Sequence, residues 1–172
     1  MTKLFPNLSV LDNALLACEA LDRRKFTMHR PIWSCSELTT RATDLLTLFE
    51  LSPLRHELAR NLAYGDQRKL EVALSLAGRP RVLLLDEPMA GLSSAERESM
   101  QRLLDALDAA TAVLLIEHDM DVAFGFAENV TVLSQGSVLM TGRKEDVSRN
   151  RRVQEIYLGN PISPSPLPSI TS

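Results

Sequence analysis

Val82-Leu83-Leu84-Leu85-Asp86-Glu87-Pro88 decides how this chain is read. Four consecutive apolar residues have the length of a buried strand. The run ends in two adjacent carboxylates and a proline, which has no N–H to extend a ladder. Ligands of open α/β sheets bind at the carboxyl ends of the strands. A carboxylate there can hold Mg2+, directly or through water, while its neighbour orients or deprotonates an attacking water. The same pair can also open an ordinary polar loop, so the flanking sequence has to decide.

Upstream, Leu70, Ala73, Leu74 and Ala77 recur at helical spacing, predicting a helix over residues 66–77 that Gly78-Arg79-Pro80 stops. Downstream, Ser93-Ser94-Ala95-Glu96 is a capping box, and the helix it opens carries Met100, Leu103, Leu104 and Leu107 on one face. Ala112–Ile116 reads as a second buried strand, a helix follows Asp119, and Val130–Leu133 reads as a third strand. Gln135-Gly136 then turns the chain into Ser137–Met140 as a hairpin. Strands alternating with helices predict βαβ units and a parallel sheet, an α/β fold. A last short helix is expected over residues 144–158, and the Pro/Ser-rich stretch 161–172 is expected to be disordered.

The front section, residues 8–62, reads as helical. Leu11, Ala14, Leu15 and Cys18 form one apolar stripe, and Ala42, Leu45, Leu46 and Phe49 form another that ends before Pro53. Pro31 sits in a polar connection between them.

Composition bounds the function. The chain has 172 residues, 45% hydrophobic and 24% charged, with net charge −3, which fits about one compact domain and not a disordered segment. The acidic balance argues against a wide nucleic-acid face. Two cysteines, Cys18 and Cys35, make no disulfide framework and suggest reduced intracellular thiols. No stretch reaches the ~20 apolar residues of a membrane span, and Met1-Thr-Lys-Leu-Phe-Pro-Asn7 has no signal-peptide pattern, so a soluble protein is expected. The glycines at 65, 78, 91, 125, 136, 142 and 159 stand singly and none precedes lysine, so this sequence holds neither a P-loop nor a GxGxxG fingerprint.

Two further stretches are candidates. Thr111–Ile116 leads into Glu117-His118-Asp119, and neighbouring parallel strands end at one sheet edge, which would put His118 near Asp86 and Glu87. An imidazole there can donate to a phosphate oxygen, although such a histidine is equally a loop residue or a satisfied cap. Leu62-Ala63-Tyr64-Gly65-Asp66-Gln67 opens a helix, and a helix N-terminus beside glycine suits an anion. The plain alternative is an ordinary start capped by Asp66.

In order and spacing, these motifs resemble the ABC-type ATPases: residues 62–67 the signature motif, Asp86-Glu87 the Walker B end, Met89-Ala90-Gly91-Leu92-Ser93 the D-loop, and His118 the switch histidine. Leu-Ala-Tyr-Gly, Glu117-His-Asp-Met120 and Val153-Gln-Glu-Ile-Tyr-Leu-Gly159 are similar to the subgroup serving branched-chain amino acid importers, the LivG type. The likeness runs over residues 4–159 and implies a partial RecA-like P-loop NTPase core with an inserted helical subdomain. Residues 1–62 would be that subdomain and its lead-in, 63–143 the C-terminal part of the core, and 144–160 a C-terminal helix.

By the same resemblance, Asp86 would organise Mg2+ through water, Glu87 would be the general base for ATP hydrolysis and His118 would contact the γ-phosphate. Leu62, Ala63, Tyr64, Gly65, Asp66 and Gln67 would close over ATP held by a second, facing ATPase subunit. Ala90, Gly91, Leu92 and Ser93 would carry information across that interface. The helical front would dock on a membrane permease, served indirectly by a solute-binding protein, at the inner face of the cell membrane, with no nucleic acid involved. Ala63 replaces the signature serine, Asp66 stands where Gln or Glu is common, and Ser93 replaces the D-loop aspartate. The family's P-loop, adenine-stacking aromatic and Q-loop glutamine all precede the segment matching Leu4–Val10, so this chain resembles the C-terminal portion of such a domain, from which little or no ATP hydrolysis in isolation is expected. Two other readings stay open: a non-catalytic module that binds a complete ATPase subunit or permease, and a head fragment of a DNA-repair type ATPase, which long heptad coiled coils would normally flank.

Overall fold

The computed structural model describes residues 4–20 and 36–157. Pro31, Cys35, Leu158 and the stretch 161–172, for which expectations were stated above, lie outside them. Contacts divide the chain into two compact units, Met1–Glu117 and His118–Ser172.

In the first unit, α1 (Val10–Ala20), α2 (Ser36–Leu48) and α3 (Tyr64–Leu76) pack on one another. Val10, Ala14, Leu15 and Cys18 of α1 meet Leu38, Ala42 and Leu46 of α2 in a core that includes Phe49, Leu51 and Leu70, all buried. Burial raises the Cys18 thiol pKa against the opposing charges of Arg41 and Arg79. Asn13 breaks the apolar stripe yet is 1% exposed. Its Oδ1 accepts from Phe5 N at 2.9 Å, and its Nδ2 donates to the carbonyls of Phe5, Leu8 and Ser9, binding the lead-in to α1. Pro53 opens a 3₁₀ turn at Ser52–Leu54, which uses its fixed φ and its missing N–H.

β1 (Val82–Asp86) and β2 (Ala112–Ile116) pair in parallel, in register from Val82↔Ala112 to Asp86↔Ile116, with α4 (Ser94–Asp105) between them in sequence. The βαβ expectation holds here. The expectation of buried strands does not. Leu83 and Leu85 are buried, while Leu84 is 68% exposed and Val82, Leu114 and Ile116 are exposed beside it. A two-stranded ribbon has two faces, and the described residues cover only one; an unbroken apolar run cannot tell them apart.

The second unit corrects the expected third parallel strand. β3 (Asn129–Ser134) pairs antiparallel with β4 (Ser137–Arg143) in a separate sheet. Gln135 (φ 49°) and Gly136 (φ 76°) make the expected two-residue turn, both left-handed as a type I′ hairpin requires. Val130, Val147 and Val153 form a small core with Phe124 and Met140 packed against it. α5 (Met120–Phe126) is N-capped by Asp119, whose side chain accepts from Asp121 N and Val122 N. The single C-terminal helix expected from residue 144 is two, α6 (Lys144–Ser148) and α7 (Arg151–Tyr157). Asn150 separates them, its Oδ1 accepting from Arg152 N and Val153 N as a cap does.

Candidate functional site

The acid pair stands where the sequence placed it, at the carboxyl edge of the parallel ribbon, with Asp86 the last residue of β1 and both residues exposed. Glu87 carries the ladder one step past the strand, its N–H donating to Ile116 O at 2.9 Å. The chain then reverses. Glu87 has φ 45°, a left-handed conformation rare for a residue with a side chain, and its carbonyl accepts from Ala90 N at 3.2 Å. Pro88 and Met89 are buried. Met89 N donates to Glu117 Oε1 at 3.2 Å, so the carboxylate that follows β2 fixes the loop that follows β1.

Among the described residues no three His, Cys, Asp or Glu side chains gather into a metal cage. An exposed carboxylate at a strand end suits Mg2+, which keeps several of its waters and is held by one or two carboxylates plus substrate phosphates.

The stretch 62–67 folds as a helix start, two residues earlier than its spacing predicted. Ala63 is the N-cap with extended backbone and no side-chain bond, so Asp66 lies in the first turn and is not the cap. Without a capping side chain, the first-turn N–H groups lack the usual local acceptor. Gln67 braces the entry instead, its Nε2 donating to Leu62 O at 2.9 Å. Tyr64 is 49% exposed, Leu62 and Gly65 are buried, and Ala63 is exposed.

This first turn is tied to the loop after the acid pair. The Tyr64 hydroxyl donates to Ala90 O at 3.2 Å. A Cβ on Gly91 would lie 3.1 Å from the Tyr64 ring, and Gly91 itself has φ 76°. A Cβ on Gly65 would overlap the Glu96 carboxylate, so glycine is what lets the α3 start approach the α4 start this closely. Leu92 is buried, and Ser93 is the expected N-cap of α4: its hydroxyl accepts from Glu96 N, and Glu96 Oε2 accepts from Ser93 N at 2.8 Å. The bond from the Ser93 hydroxyl, then that from its backbone N–H, hold the Glu96 pKa below its ordinary value.

His118 is exposed and opens the second unit, two residues past Ile116 and next to Asp119, the cap of α5. Asp86, Glu87 and residues 62–67 and 90–93 thus belong to the first unit, and His118 to the second. Sequence reasoning missed Arg68, Glu96 and Glu117 as parts of the site. Arg68 had a signal in its i,i+4 spacing from Tyr64. Glu117 had one in following β2 as Glu87 follows β1.

A cavity of about 470 Å3 lined by Ser36, Glu37, Thr40, Arg41, Asp44 and Arg79 shares no residue with these motifs. No helix among the described residues is long and apolar enough to cross a membrane.

Residues 1–90 match the family model described as ABC transporter. The chain is similar to the high-affinity branched-chain amino acid transport ATP-binding protein LivG of Escherichia coli (strain K12), 36% identical over 164 residues, 91% of this chain and 64% of that one. It is 28% identical to the lipopolysaccharide export system ATP-binding protein LptB of the same organism, over 91% of this chain and 61% of that one. The crystal structure of the ADP conformation of MJ1267, an ATP-binding cassette of an ABC transporter, superposes with TM-score 0.74 at 25% identity, covering 90% of this chain and 64% of that one. The chain therefore spans just under two thirds of the length of the curated relatives it matches.

Proposed function

The chain belongs to the ABC transporter family, and from that premise we propose that it acts in ATP-driven import of amino acids of the branched-chain type, as the part of an ATPase subunit that carries the signature and Walker B motifs. The observation that carries this reading is the seating of Asp86 and Glu87 at the carboxyl edge of a parallel ribbon, with the Glu87 backbone fixed by Ile116 and Ala90. The greater identity to LivG than to LptB supports import over export.

In this reading Asp86 holds Mg2+ through water, and the ion neutralises charge on the phosphates. Glu87 accepts the proton of the attacking water, and His118 contacts the γ-phosphate. Residues 62–67 close over ATP bound to a second ATPase subunit, where the uncapped α3 start offers N–H donors and a positive dipole end to the phosphates. Residues 90–93 line the subunit interface. Residues 1–62 form the helical part that docks on a permease fed by a solute-binding protein, which places the chain peripherally on the inner membrane face. Residues 63–143 belong to the ATPase core and 144–160 to its C-terminal helices.

A second reading, a binding module without catalysis, is favoured by the same α3 start, which needs no cradle of its own to serve a partner's nucleotide. Mixing the chain with E. coli LivG tests both. Association that requires ATP and Mg2+, with LivG turnover stimulated and that stimulation reduced about 10²- to 10⁴-fold by Glu87→Gln, supports catalysis. Association without stimulation, or with stimulation that Glu87→Gln leaves unchanged, supports the binding module. Absence of a complex with or without ATP overturns both.

A further inference from the structure

The first turn of α3 does more than present its N–H groups. Arg68 Nε donates to the Tyr64 hydroxyl at 2.8 Å, and its guanidinium carbon lies 5.2 Å from the Tyr64 ring centroid. Arg68 Nη1 also pairs with Glu71 at 3.0 Å, one turn further along the helix. Three points on one helix face therefore fix the ring. The hydroxyl accepts a hydrogen bond from Arg68 and donates one to Ala90 O, so it is committed in both directions. Beside the ring, a Cβ on Gly91 would press on it at 3.1 Å. Ala90 N in turn donates to Glu87 O, and Leu92 N to Met89 O at 3.3 Å, so the atoms Tyr64 touches belong to the turn that shapes the backbone of the acid pair.

We infer that Tyr64, oriented by Arg68, is a positioning residue for the loop 88–93, joining the start of α3 to the Glu87 turn as one body. Arg68 reaches the loop through Tyr64: it supplies orientation and a charged donor that strengthens the hydroxyl as a donor to Ala90. Resting on the reading of 62–67 as the stretch that meets nucleotide, the consequence is that a displacement of the α3 start reaches Glu87 within the same chain.

Backbone hydrogen exchange of the full chain without nucleotide tests this. Tyr64→Phe should speed exchange of the Ala90 and Leu92 amides about 2- to 10-fold, the range expected for losing one hydrogen bond, while core amides such as Leu46 stay unchanged. Arg68→Gln should give a smaller increase at the same two amides, and Arg68→Lys should restore part of it. Arg68→Gln should add nothing in the Tyr64→Phe background. A purely structural role would speed exchange along α3 and α4 together, with additive effects. Unchanged Ala90 and Leu92 amides in Tyr64→Phe, or an undiminished Arg68→Gln effect in the double variant, overturns the inference. No nucleotide enters this measurement, so its failure is separate from failure of the association with LivG.

Discussion

Leu83→Ala and Leu84→Ala, adjacent and chemically identical changes on the strand that delivers Asp86 and Glu87, should differ sharply in cost. Leu83 is 3% exposed, and its truncation removes a buried isobutyl group and leaves a cavity; about 2–5 kcal/mol is the expected loss. Leu84 is 68% exposed. Only about a third of the roughly 2 kcal/mol available from burying a leucine is in play, with no cavity term, so about 0.6 kcal/mol is expected. Urea unfolding of the two variants, compared through midpoints at an unchanged slope, measures the difference directly. A gap of about 2 kcal/mol or more supports the one-sided ribbon. Equal costs would refute it, because they would mean that Val82, Leu84, Leu114 and Ile116 are covered in solution. The uncovered face carries a second consequence: contiguous apolar surface of this kind promotes association, so Leu84→Thr should lower the light scattering of concentrated solutions with little loss of stability.

Two further outcomes follow from single side chains. Asn13→Ala should cost about 1–3 kcal/mol in denaturant unfolding, and Asn13→Asp more, because a buried carboxylate would face the Phe5, Leu8 and Ser9 carbonyls without an N–H to offer them. The depressed pKa of Glu96 means that its capping contribution is present above its ordinary value of 4.5 and is lost as pH falls through the lower value of the folded state. Stability curves of the native chain and of Glu96→Gln should therefore run at a constant separation above pH 4.5 and converge as pH falls below it; a separation that does not change with pH would show that the carboxylate charge is not what Ser93 recognises.

What was legible in the sequence is what is local. The capping box at Ser93, the Gln135-Gly136 hairpin and the helix that follows Asp119 each depend on residues within four positions, and each forms as read. Errors arose where local chemistry left a choice. At the start of α3, Ala63, braced by Gln67, takes the cap position that Asp66 was expected to hold. At its end, Gly78-Arg79-Pro80 stops the helix as expected, with Arg79 in the left-handed conformation (φ 49°). Near the C-terminus, helical spacing ran through Asn150, whose capping bonds divide it. The hairpin partner of β3 was legible in the Gln135-Gly136 turn; what the alternation of strands and helices could not show is that β3 and β4 form a sheet of their own and do not extend the parallel pair.

The candidate site shows the same division, and Glu87 shows why. Its identity as a carboxylate after a strand is readable, but its backbone is set by three constraints of different range. Pro88 disfavours the right-handed helical region for the residue before it. The bond to Ile116 O, at the end of the neighbouring strand, holds the Glu87 N–H on the strand line. The bond from Ala90 requires the chain to reverse immediately afterwards. A left-handed Glu87 satisfies all three at a cost of about 1–2 kcal/mol, a strain that the Glu117 bond to Met89 N and the Tyr64 bond to Ala90 O hold in place. None of those long-range partners could be assigned from spacing. The sequence therefore names the acid, whereas the direction its backbone takes is a property of the ribbon edge and of the α3 start together.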